Sequence, residues 1–337
     1  MAKIYKVIGA DVTFGQGSQT VKNVTADEIR KHLPMAQAIE VVQAAMVEVA
    51  EGKAHLPLRT VMDIDGVNKL GIMPGAMRDP VLYGVKILSL FPGNPARGLS
   101  SHIGVVILFD ADTGAPVVSM DADALTAIRA AAATAAATRV LARADAQTLA
   151  IVSTGEQAES HIAALTQVRD IRQIRIAGRT PDRAAAFVAA QAQQYPDISF
   201  TAAPDVQAAV RGADIVCTVT SSAEVILQAE WIDAGTHVNA VGASIPSLQE
   251  VESALVAQGR LFVDYKPSAL AQARDIITAI EAGLMTEADI CAEIGDVYRG
   301  QAEGRRSADE ITVYRSLGVA AQDLFCADHV WRAARNL

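Results

Sequence analysis

LAIVSTGEQAES, residues 149–160, is the stretch of this chain that decides its fold. It begins as an apolar strand, turns through small polar residues and enters a helix-like pattern. In the patterns G-x-G-x-x-G and G-x-G-x-x-A, Ser153 takes the first place, and Gly155 and Ala158 take the other two. The second glycine lets backbone approach a pyrophosphate, and the third position permits close packing of helix on strand. Ser153 needs only a negative φ to make the turn, so the stretch predicts a nucleotide-binding strand–turn–helix unit.

Strand-like and helix-like runs alternate from this stretch towards the carboxyl end. The strand-like runs are TLAIVST, QIRIAGR, ISFTAA, DIVCTVT, THVNAVGA and GRLFVDY. Strands that are apolar throughout and separated by helices of about 10–15 residues indicate a parallel sheet covered on both faces. We therefore predict a doubly wound α/β domain of the Rossmann type, whose ligands bind at the carboxyl ends of the strands.

The amino-terminal part of the chain has a different pattern. Residues 25–52 offer Thr25 as an N-cap with Glu28 three residues later, and they predict one or two helices. Short β-rich runs separated by Gly, Pro and Asp fill residues 57–120 and predict a mostly antiparallel or mixed sheet. Strong helix formers predict a long helix over 121–144. Because 337 residues exceed one comfortable core, we expect two domains.

Composition excludes several classes of partner and site. The net charge of -9 disfavours nucleic-acid binding, which needs clustered Lys and Arg. No run approaches the roughly 18–20 apolar residues of a membrane span, and the amino terminus lacks a secretory apolar segment, so we expect a cytoplasmic protein without a membrane partner. Cys217, Cys291 and Cys326 have no disulfide or zinc spacing and are predicted to be reduced core thiols. No grouping of His and carboxylates predicts a metal.

The turn after the first strand and the ends of later strands supply candidate cofactor contacts. Free backbone N–H groups and the helix dipole at a helix N-terminus bind phosphate. The candidates at this turn are Thr154, Gly155, Glu156 and Gln157. Of these, Glu156 must turn its carboxylate away from the phosphates. The candidates at later strand ends are Val219, Thr220 and Val241.

The end of the second strand predicts which dinucleotide binds. NAD-selective sites carry an Asp or Glu there, about 20 residues after the glycine motif, to bind the ribose 2′-hydroxyl. This chain has Gly178, Arg179 and Thr180 instead. A guanidinium and a hydroxyl suit a 2′-phosphate through charge-assisted hydrogen bonds. We therefore expect NADPH or NADP⁺, with NADH as the second choice.

Three cations in apolar or small-residue surroundings predict a carboxylate-binding site. They are Arg59 in LPLRTVMD, Lys86 in YGVKILS and Arg129 in LTAIRAAAA. Lys and Arg are seldom buried without an anion. Each one alone could instead be a salt-bridged or surface-reaching residue.

Several runs, in order, resemble the ornithine cyclodeaminase and mu-crystallin family. They are IMPGAM, GVKILSLFPGNPARGLSSHIGVVILFDADTGAP, LTAIRAAAATAAATRVLA, VNAVGAS and SLGVAAQDL. The resemblance spans about residues 50–330. It implies a homodimer in which a Rossmann domain, 126–307, is inserted into a discontinuous α+β substrate-binding and dimerisation domain, 1–125 and 308–337.

The resemblance also implies roles for individual residues. Arg59, Lys86 and Arg129 match residues that bind the substrate carboxylate, and Ser101 and His102 match cofactor contacts from the substrate domain. The tail residues matching the border of the nicotinamide are Ser316 and Leu317.

One position divides the family by chemistry. Cyclodeaminases carry an aspartate after the VNAVG-like strand, whereas this chain has Gly242, Ala243 and Ser244. A serine hydroxyl is a poor general base without a partner. The sequence VGAS resembles the corresponding sequence of the mu-crystallin branch, which is associated with NADPH-dependent ketimine reduction.

The sequence thus favours an oxidoreductase of amino-acid metabolism that reduces a cyclic or linear α-imino acid, such as pyrroline-2-carboxylate or piperideine-2-carboxylate. Lys86 is the candidate for assisting protonation, and Ser244 for lining the pocket. An ornithine cyclodeaminase or amino-acid dehydrogenase is a second hypothesis. A non-catalytic protein that binds NADPH and a small carboxylate is a third.

Overall fold

A computed structural model describes residues 12–14 and 19–335 of the chain. The chain divides into two compact units, Met1–Arg129 with Val319–Leu337, and Ala130–Gly318. The family resemblance implied an inserted domain that ends at residue 307. In the structure the second unit extends to Gly318, because Thr312–Arg315 is a strand of its sheet.

The described residues form sixteen strands and eleven α-helices. The strands are β1 (Val12–Phe14), β2 (Gln19–Val24), β3 (Ala54–His55), β4 (Thr60–Asp63), β5 (Lys69–Arg78), β6 (Val81–Leu90), β7 (His102–Phe109), β8 (Pro116–Asp121), β9 (Thr148–Val152), β10 (Gln173–Ala177), β11 (Ser199–Ala202), β12 (Ile215–Thr218), β13 (His237–Ala240), β14 (Arg260–Val263), β15 (Ile290–Glu293) and β16 (Thr312–Arg315). The helices are α1 (Ala26–His32), α2 (Met35–Ala50), α3 (Ala122–Leu141), α4 (Glu156–Leu165), α5 (Pro181–Gln194), α6 (Val206–Val210), α7 (Ser253–Gln258), α8 (Lys266–Gln272), α9 (Arg274–Glu281), α10 (Ile294–Tyr298) and α11 (Ala320–Ala334).

The first unit is built on a mixed sheet. Its strand order is β1-β2-β8-β7-β6-β5-β3, with β4 also paired to β5. Within the described strands every pair is antiparallel except β2 with β8. The predicted mostly antiparallel or mixed sheet is confirmed.

Two helices follow β2, as the sequence allowed. The Thr25 side chain accepts a hydrogen bond from the backbone N–H of Glu28, and the Glu28 carboxylate accepts one from the Thr25 N–H, which is a capping box. Among the described residues no single helix is long and apolar enough to cross a membrane; α1 and α2 meet that test only as a pair bent by 83°.

The second unit is a parallel sheet in the order β11-β10-β9-β12-β13-β16-β14-β15. The chain leaves β9 towards one edge of the sheet and returns to β12 on its other side. This reversal is the topological switch point, where α/β sheets bind ligands outside the carboxyl ends of the strands. The predicted doubly wound sheet is confirmed.

Both faces of this sheet are buried. Leu149 and Ile151 of β9 belong to one hydrophobic cluster, and Ala150 and Val152 belong to the other. This alternation is the period of two that a strand imposes, and burial on both sides explains why the strand is apolar throughout.

The prediction that all three cysteines are core thiols is wrong for one of them. Cys217 and Cys326 are free and buried, but Cys291 is exposed. It is the second residue of β15, an edge strand of the sheet. Spacing along the sequence does not reveal that position.

Candidate functional site

A buried ion cluster lies in the first unit. Lys86 Nζ and Arg129 Nε each donate a hydrogen bond to Asp323 Oδ1, both at 2.9 Å. Arg129 Nη1 also donates to Gln322 Oε1 at 3.1 Å. Lys86 is 2% exposed, Arg129 6% and Asp323 1%, so water screens these charges little. The structure thus brings two of the three predicted carboxylate-binding cations onto one acidic oxygen.

Small residues let helix α11 reach the strand that carries Lys86. A Cβ added at Gly75 of β5 would lie 2.8 Å from Ala320 Cβ, and one added at Gly84 of β6 would lie 2.9 Å from Leu324 Cδ2. Real Cβ atoms do not approach so closely, so glycine at both positions permits the contact. Asp323, in the first turn of α11, thereby meets Lys86 on the buried face of the sheet.

The charges in this cluster shift one another's proton affinities. Burial is the main cause that lowers the pKa of Lys86 to about 7; repulsion by Arg129 and Arg59 adds to it, and Asp323 opposes it. Burial alone would raise the pKa of Asp323, but Arg129 and Lys86 outweigh it and bring that pKa below its ordinary value. Asp323 is therefore an anion at neutral pH, where Lys86 can gain or lose a proton.

The other predicted residues of the first unit lie near its strand ends. Arg59 is half-buried immediately before β4, and its charge reaches Lys86. Ser101 Oγ and His102 Nδ1 are 2.9 Å apart at the start of β7, with His102 exposed. Their contact with a cofactor, which the family resemblance implied, stays a prediction.

The opening stretch forms the expected strand–turn–helix in the second unit. Strand β9 ends at Val152, and α4 begins at Glu156 after Gly155 as N-cap, without a side-chain hydrogen bond to the cap. Among the described residues only glycines have positive φ, so Ser153 makes the turn with a negative φ. Ala158 is fully buried against the sheet, Thr154 and Gln157 are half-buried, and Glu156 is exposed. A helix N-terminus whose N-cap side chain makes no hydrogen bond fits a phosphate.

The residues predicted to select the dinucleotide follow β10. A Cβ added at Gly178 would lie 2.8 Å from Thr154 Cγ2, so this glycine lets the end of β10 approach the turn after β9. Arg179 and Thr180 are exposed, and Thr180 is the N-cap of α5 without a capping hydrogen bond from its hydroxyl. The three residues that directly follow β10 are Gly178, Arg179 and Thr180, and none of these three is a carboxylate.

Glu250 joins the loops that follow β12 and β13. Its Oε2 accepts hydrogen bonds from Thr218 Oγ1 at 3.2 Å and from the Ala243 N–H at 3.1 Å, and its Oε1 accepts one from the Thr220 N–H. Glu250 is 1% exposed, and burial raises its pKa. A Cβ at Gly242 would lie 2.1 Å from Thr220 O, so the two loops can meet only at a glycine. The predicted residues Val219, Thr220, Val241 and Ser244 all lie in these two loops.

Two further buried charges hold the loop after β16. Asp264 Oδ2 accepts hydrogen bonds from the N–H groups of Leu317 and Gly318 at 2.8 and 2.6 Å. Arg315 pairs with Asp275 at 2.8 Å and donates to the carbonyl oxygens of Ala240 and Ala243. The predicted residues Ser316 and Leu317 are buried beside these groups, and Ser316 N–H donates to Ala240 O at 3.0 Å.

Sequence reasoning missed the acids of both units. Asp323 is a charged residue in an apolar run, AAQDLFCA, which is the same signal that marks Lys86 as a candidate. Glu250 and Asp264 carry no comparable signal, because each is flanked by residues ordinary for a loop or strand end. Within the described residues, no three His, Cys, Asp or Glu side chains form a group that could hold a metal ion.

Residues 20–336 match the model of the ornithine cyclodeaminase/mu-crystallin family. The chain belongs to this family. The match contains all of residues 50–330, the range over which the sequence resembled this family, so the resemblance is confirmed.

Three members illustrate the likeness. The ketimine reductase mu-crystallin of Rattus norvegicus is 34% identical over 313 residues, covering 91% of this chain and 96% of the relative. The Δ1-pyrroline-2-carboxylate reductase of Thermococcus litoralis, solved with NADH and L-proline, has a TM-score of 0.90 and 30% identity, covering 94% of this chain and 98% of that one. An archaeal alanine dehydrogenase, solved as a dimer with NAD, has a TM-score of 0.87 and 30% identity, covering 94% and 97%.

Proposed function

We propose that this protein reduces an α-imino acid to the L-amino acid with NADPH. The observation that carries the proposal is the buried pair Lys86 and Arg129, held on one oxygen of Asp323. Two cations share this one acidic oxygen, which leaves net positive charge for the carboxylate of a substrate when Lys86 is protonated. Relatives named as reductases of pyrroline-2-carboxylate and ketimines act on substrates of this class.

For this reaction the protein must orient the substrate and supply one proton to the imine. Arg59, Lys86 and Arg129 bind the carboxylate and hold the C=N carbon in one place. Reduction proceeds on the protonated imine, and Lys86, with a pKa of about 7, can supply that proton near neutral pH. Ser244 would line the pocket as a neutral group. The bound nicotinamide cofactor supplies the hydride.

The second unit supplies the groups for the dinucleotide. Thr154, Gly155, Glu156 and Gln157 offer the start of α4 to the pyrophosphate through their backbone. NADPH is proposed over NADH because Arg179 and Thr180 stand exposed after β10 where an NAD-selective site would carry an acid. The solved relatives named above hold NADH and NAD, so selectivity at this position is a property to be measured on this chain. The further contacts proposed for the cofactor are Ser101, His102, Gly178, Val219, Thr220, Val241, Ser316 and Leu317.

A homodimer completes the proposal. The sheet of the first unit buries Lys86 on one face, so its neighbours Val85 and Ile87 lie on the other face. There they pair with Ile107 and Val105 of β7, and all four are only half-buried. A contiguous apolar sheet face of this kind marks an interaction surface. A second copy of the chain is the proposed occupant, and the archaeal alanine dehydrogenase named above is itself a dimer.

The test is a substrate panel with the purified full chain. Δ1-Pyrroline-2-carboxylate, Δ1-piperideine-2-carboxylate, and pyruvate with methylamine are each supplied with NADPH or NADH, and loss of absorbance at the nicotinamide band is followed. We expect turnover of at least one imino acid, faster with NADPH. Ornithine converted to proline and ammonia with catalytic NAD would instead identify a cyclodeaminase. Tight NADPH binding without turnover of any substrate would identify a binding protein.

A further inference from the structure

One acidic oxygen joins two cations that come from different parts of the chain. Asp323 Oδ1 accepts both Lys86 Nζ from β6 and Arg129 Nε from α3 at 2.9 Å. Its neighbour Gln322 accepts a second hydrogen bond from Arg129 through Oε1. The dipeptide therefore fixes Arg129 at two points and Lys86 at one.

The fold keeps this carboxylate ionised and in place. Asp323 lies in the first turn of the fifteen-residue helix α11, where the helix dipole favours an anion. The close approach of α11 to Gly75 and Gly84 leaves it no room to shift towards β5 and β6. Its position is thus set by packing before any substrate binds.

We infer that Asp323 is the positioning residue of this cluster: its one oxygen fixes Lys86 and Arg129 relative to each other, and its charge strengthens the hold of Lys86 on its proton. The inference rests on the proposed function, in which these two cations bind the imino acid and Lys86 supplies a proton.

The charges around Lys86 make its protonation depend on this one acid. Arg129 on α3 and Arg59 before β4 both repel a proton on Lys86, and His102 at the start of β7 is within electrostatic reach. Asp323 is the group that opposes them. Removing its charge while keeping its shape should therefore move the titration of Lys86 in a known direction.

Asp323→Asn is a clean test of the charge. Both hydrogen bonds go to Oδ1, and within the described residues Oδ2 has no hydrogen-bond partner. An asparagine can therefore keep its oxygen towards Lys86 and Arg129 and place its NH₂ where no donor opposes it. Asp323→Ala tests the holding role, since it removes the shared acceptor.

The experiment labels lysine with ¹³C at Cε in the full chain and follows each resonance against pH; Lys86→Met identifies the signal. In Asp323→Asn we expect the proton affinity of Lys86 to fall about tenfold or more, because an opposite charge at this range shifts a pKa by about 1–3. The pH at which kcat/KM for imino-acid reduction begins to fall should decrease by the corresponding amount, about one pH unit or more. In Asp323→Ala we expect KM for the imino acid to rise about tenfold or more while NADPH affinity is unchanged.

Asp328→Asn is the matched control, since Asp328 pairs with Arg332 on the same helix at 2.8 Å near the surface. It should leave both titration and kinetics as in the wild type. If the proton affinity of Lys86 in Asp323→Asn is within twofold of the wild-type value, the charge role of Asp323 is overturned. If KM for the imino acid is unchanged in Asp323→Ala, its role in holding the two cations is overturned. The titration needs no turnover, so a wild-type protein that reduces no imino acid would reject the proposed function separately.

Discussion

Glu250 offers the sharpest test of how the second unit shapes its cofactor loops. Its buried carboxylate accepts three hydrogen bonds, from Thr218 Oγ1, the Thr220 N–H and the Ala243 N–H. Glu250→Gln keeps the shape but replaces one accepting oxygen with an NH₂ donor. Either orientation of the amide then sets N–H against a backbone N–H, at Thr220 or at Ala243.

The cost follows from the number of donors left without an acceptor. A buried donor that loses its partner costs about 1–3 kcal/mol, and here at least one backbone N–H does so. Relief of the buried charge offsets part of this, because burial already raises the pKa of Glu250 and so penalises its ionised form. We expect a net loss of about 1–2 kcal/mol, which lowers the melting temperature by roughly 2–8 °C for a domain of this size.

The assay combines thermal unfolding with NADPH titration by fluorescence. Without the Glu250 carboxylate, the loops after β12 and β13 should move apart. These loops carry Val219, Thr220 and Val241, so NADPH affinity should fall about tenfold, the equivalent of 1.4 kcal/mol. Glu252→Gln is the control, because among the described residues Glu252 accepts a backbone hydrogen bond only from the Ala229 N–H, at 2.8 Å, and it is half-buried. A Glu250→Gln protein that melts and binds NADPH like Glu252→Gln would refute the reasoning.

Three other perturbations test the remaining assignments. Lys86→Met should abolish turnover and leave NADPH binding nearly intact, and a fully active variant would reject the role of Lys86 as proton donor. In the wild type, the rate of reduction should fall about tenfold from pH 6 to pH 8, because Lys86, with a pKa of about 7, loses its proton as the pH rises. Arg179→Ala should weaken NADPH about tenfold or more and leave NADH unchanged, since a hydrogen bond to a charged group is worth about 1.5–3 kcal/mol; equal losses for both cofactors would contradict it. Val105→Asp should convert a dimer to monomers in sedimentation experiments, because it charges the middle of the half-buried sheet face, and an unchanged sedimentation coefficient would place the interface elsewhere.

The periodicity of the sequence was sufficient to predict the two sheets. Strand β9 is apolar throughout because Leu149 and Ile151 bury one face and Ala150 and Val152 the other, which only a sheet covered on both sides requires. The capping box is likewise encoded within four consecutive residues, from Thr25 to Glu28. Both signals are local, and both are confirmed.

The place of β16 was not predictable in the same way. TVYR reads as a short strand, and all four residues are buried, yet its neighbours β13 and β14 are set by pairing across the sheet. A parallel strand carries no turn that reveals its partner. The boundary between the two units therefore depends on tertiary pairing, which is why the predicted boundary at residue 307 falls before this strand.

The candidate site shows the same division between local and distant information. A buried cation in an apolar run implies an anion somewhere, so Lys86 and Arg129 could be selected from the sequence. Their partner lies 237 and 194 residues further along the chain, and nothing local pairs them. The structure adds a charge count: one carboxylate accepts hydrogen bonds from both Lys86 and Arg129, so with Lys86 protonated these three residues carry a net positive charge. A substrate that brings its own carboxylate supplies a negative charge, which favours the proposed imino acid over an imine without a carboxylate.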